Sequence, residues 1–536
     1  MNLAFDNWIP CLKKNGESVR ASILGCFKDS DLAGLNVRPH ERVALMRLLE
    51  CVAYAAAEKA KKFPRDYDGL LALREPLAAF VEEYLAEWRD SFNLFDEKKP
   101  FLQIPDLQDG SAKTKNGGEP SDYSDLTPAS KLNFSLATGN NSTLFDHGAA
   151  SGEARQFDEE TLALSLLTFH NFCPGGLTGV VSWQGLKTEK TSTDCPCVSK
   201  SMLHTFIQGD SLSDTIWLNL LSEEDIGDSY QKVEPTVAPR GAHAAFAWKG
   251  RPVWEMFPQG PNDRDARDNA TRTFLGRLVP LGRLVKIMPD RSHILVGAAY
   301  DFPGLDSGFP KEVTASSRKI RKDDKDEEVL LGYRPGQKIW RQLAALSVKR
   351  NFDAGDVGGC AALSNIPDGK PTDIIVCALA HDKASLTDCV ESVFRIRAGE
   401  LGDSWHAALD AELKYIEGVN GALRAAFAAW RHQEDGGLAG RMKKDRNCES
   451  LLVSAVEADF YARAERQLPF LMKALDRISA GEANGEIKKW EQRIARCGEE
   501  VLSDRCDKAS SRQLMAYVKA RALFMGRLAI LRNKKS

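Results

Sequence analysis

The chain has 536 residues, of which 43% are hydrophobic, and its 72 basic and 75 acidic residues leave a formal net charge of −3. This much apolar material excludes a disordered chain. The near balance of charge excludes a uniformly basic nucleic-acid binder, so any such surface has to be a local patch.

The N-terminus and the cysteines indicate the compartment. The opening MNLAFDNWIPCL has no basic lead and carries Asp6 inside its apolar run, which argues against a signal peptide. No stretch approaches the roughly 18 uninterrupted apolar residues that a membrane span needs. The twelve cysteines are scattered, mostly beside apolar residues, as expected where thiols stay reduced. We therefore predict a cytoplasmic protein without a membrane partner.

The first 172 residues alternate between predicted helices and irregular segments. NLAFDNWIP is interpreted as a strand that Pro10 ends. Apolar residues at helical spacing predict helices from Pro39 to about Lys61 and from Leu77 to Trp88. The polar, glycine-rich composition of residues 104–130 predicts an exposed, mobile loop. A third helix is predicted from Asp158 to Phe172, with acidic residues in its first turn.

The remainder of the chain changes character near residue 398. Short strand-like runs (HAAFAW, SHILVGAAYDF, EEVLLGYR, DIIVCALA) fill residues 200–395 without a βαβ rhythm. The segments 403–433, 449–479, 485–503 and 506–532 all carry helical apolar spacing with short polar breaks between them. The fold class predicted is α+β, with a large irregular mixed N-terminal domain (1–397) followed by a C-terminal four-helix bundle (398–536).

The stretch FHNFCPGGLTGV at 169–180 places three glycines just after a predicted helix. A phosphate-binding P-loop requires Lys followed by Ser or Thr after its last glycine, whereas here Val-Val-Ser-Trp follows Gly179. A dinucleotide-binding fingerprint requires a strand before the glycines, where this chain has a predicted helix. From spacing alone, the glycines are accounted for by a helix C-cap and a tight turn.

The same region raises two enzymatic alternatives. His170, Cys173, Cys195, Cys197 and His204 contain the residue types of a zinc site, although the chain has no Cys-x-x-Cys. Cys173 can also be considered as a thiol nucleophile served by His170 or His204, provided that a base lies within hydrogen-bond reach. A stand-alone cytosolic thiol or zinc hydrolase is therefore the alternative function, although no hydrolase motif supports it.

Basic residues are concentrated in three places. Residues 501–536 contain nine basic and two acidic residues, a balance of +7, which indicates either a solvated helix face or a surface that follows phosphates. Arginines interleaved with Phe274 and leucines occupy residues 264–286. The run SRKIRK at 317–322 is followed at once by acids and is predicted to lie in a solvated loop.

Several of these segments, in this order and spacing, resemble the CasA family, the large subunit of the type I-E CRISPR surveillance complex Cascade. The resemblance covers essentially the whole chain, and the segments that carry it are NLAFDNWIP (2–10), KPFLQ (99–103), TFIQGDSLSDTIWLNLL (205–221), GRPVWE (250–255) and TFLGRLVPLGRLVKI (273–287). It implies a non-enzymatic subunit without a cofactor that finds the protospacer-adjacent motif in the DNA minor groove and starts strand separation.

The resemblance implies three DNA-contacting elements. The family's glycine loop falls on Gly175, Gly176, Leu177, Thr178 and Gly179, and bare backbone can enter the minor groove, which is only about 6 Å wide. The family's wedge falls on Asp382, Lys383 and Ala384, and its basic finger on Arg277, with Arg283 as runner-up. This chain departs from the more glycine-rich loop by Leu177 and Thr178, and from a Gln-Ala wedge tip by Lys383-Ala384.

The resemblance also implies RNA and protein partners. ATGNNSTLFDHGAA (137–150) corresponds to the loop that holds the 5′ handle of the guide RNA, through Asn141, Leu144, Phe145 and Asp146; an aromatic there can stack on an unpaired base. We expect this loop to be disordered in the free protein. Some family members build Cys-x-x-Cys knuckles nearby, but this chain has ARQF at 154–157, so no structural zinc is predicted.

The partners implied are guide RNA, target double-stranded DNA, the other Cascade subunits including the small-subunit dimer, and a recruited helicase–nuclease that would supply catalysis. The basic last helix, through Lys519, Arg521 and Arg527, is predicted to follow DNA or to dock the small subunits.

Overall fold

The computed structural model describes residues 1–110, 126–136, 155–231, 248–322, 325–350, 357–366, 371–397, 403–434, 446–479 and 485–535. The chain divides into two compact units, Met1–Pro335 with Lys349–Ile396 and Gly336–Val348 with Arg397–Ser536. The short segment Gly336–Val348 thus belongs with the C-terminal helices, whereas the sequence had placed it inside the first domain.

The first unit mixes helices with small antiparallel sheets. Its helices are Ile23–Lys28, Pro39–Lys59, Tyr67–Leu73, Leu77–Glu87, Glu159–Phe172, Leu212–Asn219, Glu223–Gln231, Arg264–Arg272 and Phe274–Leu278. Its strands are Ile9–Lys13, Ser18–Ala21, Leu32–Leu35, Leu107–Asp109, Thr127–Pro128, Gly176–Leu177, Val181–Trp183, Leu186–Lys187, Thr191–Ser192, His204–Gln208, Arg283–Ile287, His293–Ala298, Ser317–Lys322, Lys325–Leu330, Pro371–Asp382 and Ser385–Arg397.

The helix Pro39–Lys59 forms the centre of this unit. Every residue from Val43 to Ala57 is buried, because the helix Leu77–Glu87, the helix Glu159–Phe172 and the strand Pro371–Asp382 all pack on it. A helix buried all round is usually apolar throughout, yet this one carries Arg47 and Glu50 into the core. The guanidinium of Arg47 in particular needs a partner there.

A long hairpin dominates one three-stranded sheet. The strand Pro371–Asp382 lies between His204–Gln208 and Ser385–Arg397, with His204 opposite Cys377 and Gln208 opposite Asp373. At 12 and 13 residues, its two arms are about twice the usual strand length. The turn of the hairpin therefore lies beyond the end of the neighbouring strand His204–Gln208, whose pairing stops at Cys377.

Three predictions of local structure in this unit were wrong. The first strand begins at Ile9 and continues through Pro10 to Lys13 rather than ending at Pro10. Residues 104–110 are not an exposed loop, because Ile104 and Leu107 join a buried cluster with Trp183 and Leu295; residues 111–125 lie outside the described part. The run 317–322 is a strand paired with the acidic Lys325–Leu330, so neighbouring charges of opposite sign favour the hairpin.

The predicted helices were largely correct. Pro39–Lys59 begins with Pro at its first position, and Glu159–Phe172 begins after Asp158, whose side chain accepts from Thr161 N at 2.7 Å. Both starts follow the sequence signals that mark helix N-termini. The strand-like run HAAFAW lies outside the described residues except for Trp248, whereas the other three runs contain strands.

The second unit is a helical bundle. Its long helices are Asp403–Glu434, Arg446–Glu465, Leu468–Ser479, Gly485–Arg505 and Ser511–Lys535, and the short helix Leu343–Leu346 accompanies them. The predicted segment 449–479 is two helices instead of one, because Pro469 has no N–H to donate and suits only the first turn of a new helix. The predicted α+β class with a C-terminal helical bundle is otherwise confirmed.

No helix among the described residues is both long and apolar enough to span a bilayer.

Candidate nucleic-acid interface

The glycine loop, residues 174–179, is a small hairpin arm rather than a simple helix cap. Cys173 ends the preceding helix by donating its backbone N–H to Phe169 O at 3.0 Å. Gly176 and Leu177 then pair as a short strand with Ser192 and Thr191. Backbone pairing with the strand Thr191–Ser192 therefore holds the loop after the helix has ended.

The glycines of the loop serve different purposes. A Cβ on Gly175 would lie 2.9 Å from Ser192 O, and one on Gly179 would lie 2.5 Å from Val296 O. Both positions are crowded by the protein's own backbone, so the fold itself requires glycine there. Gly176 differs, because its φ of +137° disfavours other residues and a Cβ on it would lie 3.1 Å from Cβ of Ala384.

Arg283 fastens the base of the loop. Its buried guanidinium donates to Pro174 O and Thr193 O, both at 2.9 Å, and to Gly282 O at 2.6 Å. The planar fork of arginine suits this simultaneous donation to several carbonyls. Arg283 is therefore occupied in holding the two arms together, and the structure argues against it as a DNA-contacting finger.

Asp194 joins the loop to the long hairpin. One carboxylate oxygen accepts from Gly175 N at 2.7 Å, and the other lies 3.9 Å from Nε2 of His381. Nδ1 of His381 in turn donates to Lys383 O at 2.9 Å. The polar contacts thus run from the glycine loop to the hairpin turn.

The hairpin turn presents the predicted wedge residues at the surface. Asp382, Lys383 and Ala384 are exposed, and Lys383 and Ala384 form the two-residue connection between the strands. Lys383 has φ of +54°, the left-handed conformation that such two-residue turns require at their first central position. The backbone conformation therefore defines the turn. The side chains of Lys383 and Ala384 project from the end of the hairpin.

The structure brings together segments that are far apart in sequence. The Gly176–Ala384 approach places the glycine loop against the hairpin turn, and Lys190, whose carbonyl accepts from Thr178 N at 2.9 Å, adds an exposed cation beside them. Sequence reasoning missed Lys190, although it lies in the polar run LKTEKTSTD (186–194) and directly precedes the paired strand Thr191–Ser192. Leu177 is 85% exposed. Together these residues form the candidate interface.

Arg277 does not belong to this interface. Its side chain is 5% exposed, and its guanidinium contacts Glu312 at 2.7 Å and the carbonyls of Thr271 and Pro303 at 2.8 and 3.0 Å. Glu312 also accepts from Arg47 at 2.8 Å. Arg277 is therefore a member of a buried charge network, and the structure argues against its assignment to DNA contact.

The last helix exposes both cations and large apolar side chains. Lys519, Arg521 and Arg527 are exposed as predicted, although Arg521 is paired with Glu499 at 2.6 Å. Only a narrow stripe of this helix is buried, comprising Ala516, Ala520, Phe524 and Leu528. The apolar residues that remain exposed are Leu514, Met515, Val518, Leu523, Met525 and Ile530.

The thiol region lacks the features of a nucleophilic site. Nε2 of His170 donates to Leu102 O at 3.0 Å, and Nε2 of His204 donates to Cys197 O at 2.9 Å. Burial lowers the pKa of both imidazoles to about 4 and raises the pKa of the Cys173 thiol. At neutral pH the histidines are uncharged and the thiol is protonated, so the geometry does not generate a thiolate.

Two further predictions concern metal and RNA. Within the described ranges, no group of three or more His, Cys, Asp or Glu side chains is arranged to hold a metal ion. The proposed RNA-contacting residues Asn141, Leu144, Phe145 and Asp146 lie outside the described residues, so their role stays a prediction.

Comparison with known proteins gives a consistent result. A family model described as CRISPR-associated protein Cse1 matches residues 2–501. A CasA/Cse1 protein of Thermus thermophilus is 25% identical over 445 residues, which cover 79% of this chain and 76% of that protein.

Solved structures share the fold. Cse1 from Acidimicrobium ferrooxidans superposes with a TM-score of 0.72 at 18% identity, covering 100% of this chain and 98% of that one. A chain of a CRISPR RNA-guided surveillance complex superposes with a TM-score of 0.66 at 15% identity, covering 98% of this chain and 99% of that one. Both units of the present chain are thus spanned by these likenesses.

Proposed function

The chain belongs to the CRISPR-associated Cse1 family, and from that premise we propose that it is the non-catalytic large subunit of a Cascade complex. In this role it recognises the protospacer-adjacent motif from the minor groove of target DNA and starts the separation of the two strands. Catalysis on the DNA belongs to a helicase–nuclease that the complex recruits.

The observation that carries the proposal is the contact between the glycine loop and the hairpin turn. A minor groove admits backbone and small side chains but few large ones, and Gly176 offers such a backbone edge beside Ala384. Lys190 and Lys383 lie at its margin as exposed cations, which suits contact with phosphates. Motif recognition and strand opening are thereby assigned to one continuous surface.

The proposed partners follow from the same role. Guide RNA is held through its 5′ handle by the loop containing Asn141, Leu144, Phe145 and Asp146, and other Cascade subunits complete the complex. The formal net charge of −3 gives the isolated chain little attraction for DNA, so binding depends on the assembled complex.

Lys383→Ala tests the interface. In the reconstituted complex we expect binding to a duplex that bears the motif to weaken about tenfold, the factor given by losing roughly 1.4 kcal/mol, because the turn loses the cation that holds a phosphate while the strands separate. Binding to a target already opened as a bubble should change much less. The measurement is a paired titration of both targets at fixed salt.

Lys14→Ala provides a matched control, because Lys14 is also an exposed lysine but follows the N-terminal strand. It should leave both affinities unchanged. Equal losses on duplex and bubble for Lys383→Ala, or equal losses for the two lysine variants, would contradict the assigned role of the hairpin turn.

The last helix favours protein docking over DNA contact. Apolar side chains such as Leu514, Met515 and Val518 are exposed among its cations, and apolar surface is buried by protein partners rather than by a phosphate backbone. We therefore assign this helix to the small-subunit dimer.

The assignment of the last helix is tested by changing its two kinds of residue separately. Val518→Asp with Met525→Asp should release the small subunits from the complex in size-exclusion chromatography, whereas Lys519→Ala with Arg527→Ala should leave them bound. If the helix follows DNA instead, the lysine–arginine variant will flatten the salt dependence of target binding and the apolar variant will retain the small subunits. That pattern would contradict the docking assignment.

A further inference from the structure

We propose that Ser201 and Tyr333 are positioning residues for strand opening, because together they brace the hairpin turn that bears Lys383 and Ala384. This inference rests on the proposed function and adds two residues that act through the turn rather than on the DNA itself. Ser201 and Tyr333 are called the brace below.

The end of the hairpin has lost one of its neighbouring strands. Backbone pairing of the strand Pro371–Asp382 with its shorter neighbour stops at Cys377. If the register continued, the N–H of His381 would face the carbonyl of Lys200. That carbonyl lies instead against Gly332, where an added Cβ would be 2.4 Å from its oxygen. The backbone N–H of His381 therefore needs another acceptor.

Ser201 supplies this acceptor. The hydroxyl oxygen of the buried Ser201 accepts from His381 N at 3.1 Å. Lys200 and Ser201 both have positive φ, +55° and +52°, a conformation that costs free energy in residues with a Cβ and persists where surrounding contacts maintain it. The strained turn thus brings the hydroxyl to a backbone donor that the interrupted strand pairing no longer satisfies.

Tyr333 holds the other arm of the hairpin. Its hydroxyl donates to Oδ2 of Asp388 at 2.8 Å, on the strand that follows the turn. Its backbone N–H donates to Ser201 O, also at 2.8 Å. The two brace residues are therefore joined to each other, and each is bonded to one arm within a few residues of the turn.

Strand opening requires this turn to hold its position. Separating a base step works against the stacking energy of the DNA, so a turn that gave way would leave the bases stacked. Lys383 and Ala384 are exposed at the end of an arm whose backbone pairing is interrupted. The brace replaces the missing support and keeps the turn in place while the strands separate.

Tyr333→Phe tests the brace, because it removes the hydroxyl and keeps the ring. The assembled complex with guide RNA is mixed with a duplex that bears the motif and carries 2-aminopurine at the first base pair beside it, whose fluorescence reports unstacking. We expect opening to slow by about tenfold, since hydrogen bonds to a carboxylate are among the stronger ones. Binding to a target already opened as a bubble should stay within about twofold, since no stack remains to be opened.

Ser201→Ala removes the other contact and should slow opening in the same direction. Hydrogen exchange of the His381 amide should become faster in this variant, because its acceptor is lost, whereas amides of the central helix Pro39–Lys59 should exchange as in wild type.

A matched control separates positioning from stability. Tyr461 also donates its hydroxyl to a carboxylate, Oε2 of Glu417, at 2.8 Å, but it lies in the helical bundle. Tyr461→Phe removes the same chemical group and should leave opening at the wild-type rate. Asp388→Ala should slow opening as Tyr333→Phe does, and the double variant should be no slower than either, because all three lose the same bond.

Opening at the wild-type rate in Tyr333→Phe, an equal loss in Tyr461→Phe, or equal losses on duplex and bubble would overturn this inference while leaving motif recognition intact. Effects of Tyr333→Phe and Asp388→Ala that multiply in the double variant would also overturn it. If instead the wild-type complex binds duplexes with and without the motif equally well, the proposed function itself fails, so the wild-type comparison distinguishes the two failures.

Discussion

Replacing Glu312 by alanine is expected to lower the free energy of unfolding by about 3–5 kcal/mol, the usual cost of removing one partner from a buried ion pair. Glu312 accepts from Arg47 at 2.8 Å and from Arg277 at 2.7 Å. Both arginine side chains are almost fully buried, so without the carboxylate two guanidinium charges face each other in the core. Urea unfolding of the purified chain provides the measurement.

Two further variants show whether the loss of stability in Glu312→Ala comes from the missing charge and from its burial. Glu312→Gln keeps one hydrogen-bond acceptor but removes the charge, and should fall between alanine and wild type. Glu82→Ala breaks the exposed pair between Lys28 and Glu82, 2.7 Å apart, and should cost less than about 1 kcal/mol. If Glu312→Ala lowers the free energy of unfolding no more than Glu82→Ala does, the buried network contributes no more to stability than an exposed ion pair.

The same network predicts a dependence on pH. Burial opposes ionisation of Glu312, but Arg47 and Arg277 outweigh it and lower the pKa of this carboxyl from 4.5 to about 2. Because the folded-state pKa lies below the unfolded one, the contribution is fully present above pH 4.5 and is lost as the pH falls towards 2. Glu312→Gln should therefore unfold with a shallower dependence on pH across that interval than wild type.

Replacing Arg283 by methionine is expected to weaken motif-dependent binding strongly while leaving most of the fold in place. Methionine has a similar length but no donors, so the carbonyls of Pro174, Thr193 and Gly282 lose their partner. The bond to Gly282 is buried and the other two are part-buried; a buried carbonyl left unsatisfied costs about 1–3 kcal/mol, and the loop is expected to relax away from the hairpin turn. Duplex binding should weaken by about tenfold or more, with bubble binding reduced much less.

Hydrogen exchange separates this local effect from general unfolding. Amides of residues 174–179 and 190–194 should exchange faster in Arg283→Met, whereas those of the central helix Pro39–Lys59 should be unchanged. Arg283→Lys keeps the charge without the planar fork and should recover only part of the binding. Retention of motif discrimination by Arg283→Met would show that the loop does not depend on this anchor.

Sequence patterns identified the elements whose signals are local. The helices Pro39–Lys59 and Glu159–Phe172 were predicted because periodicity and N-terminal residues act within a few positions. Residues 104–110, by contrast, were wrongly described because their partners lie elsewhere in the chain. Leu107, for example, is buried because Trp183 and Leu295 pack against it, which no local pattern reveals.

In the candidate interface, too, local sequence patterns were informative, whereas contacts with distant segments could not be predicted. Arginines that alternate with leucines, as around Arg277, give the same sequence pattern on a surface as in the core. The difference is made by Glu312 and Arg47, which lie far away in sequence. The glycines of the loop were interpreted as making room for a ligand, yet Gly175 and Gly179 make room for the protein's own carbonyls. Only Gly176 faces another surface element.

The contact between Gly176 and Ala384 gives the proposed interface a fixed length scale. With the loop and the turn touching, the distance from the bases that are recognised to the base pair that opens is a property of the protein and not of the DNA. Under the proposed function, a motif displaced by one base pair puts a different step, about 3.4 Å away along the duplex, in front of the hairpin turn. The proposed function then implies that guide pairing begins at a constant offset from the motif, whatever the target sequence.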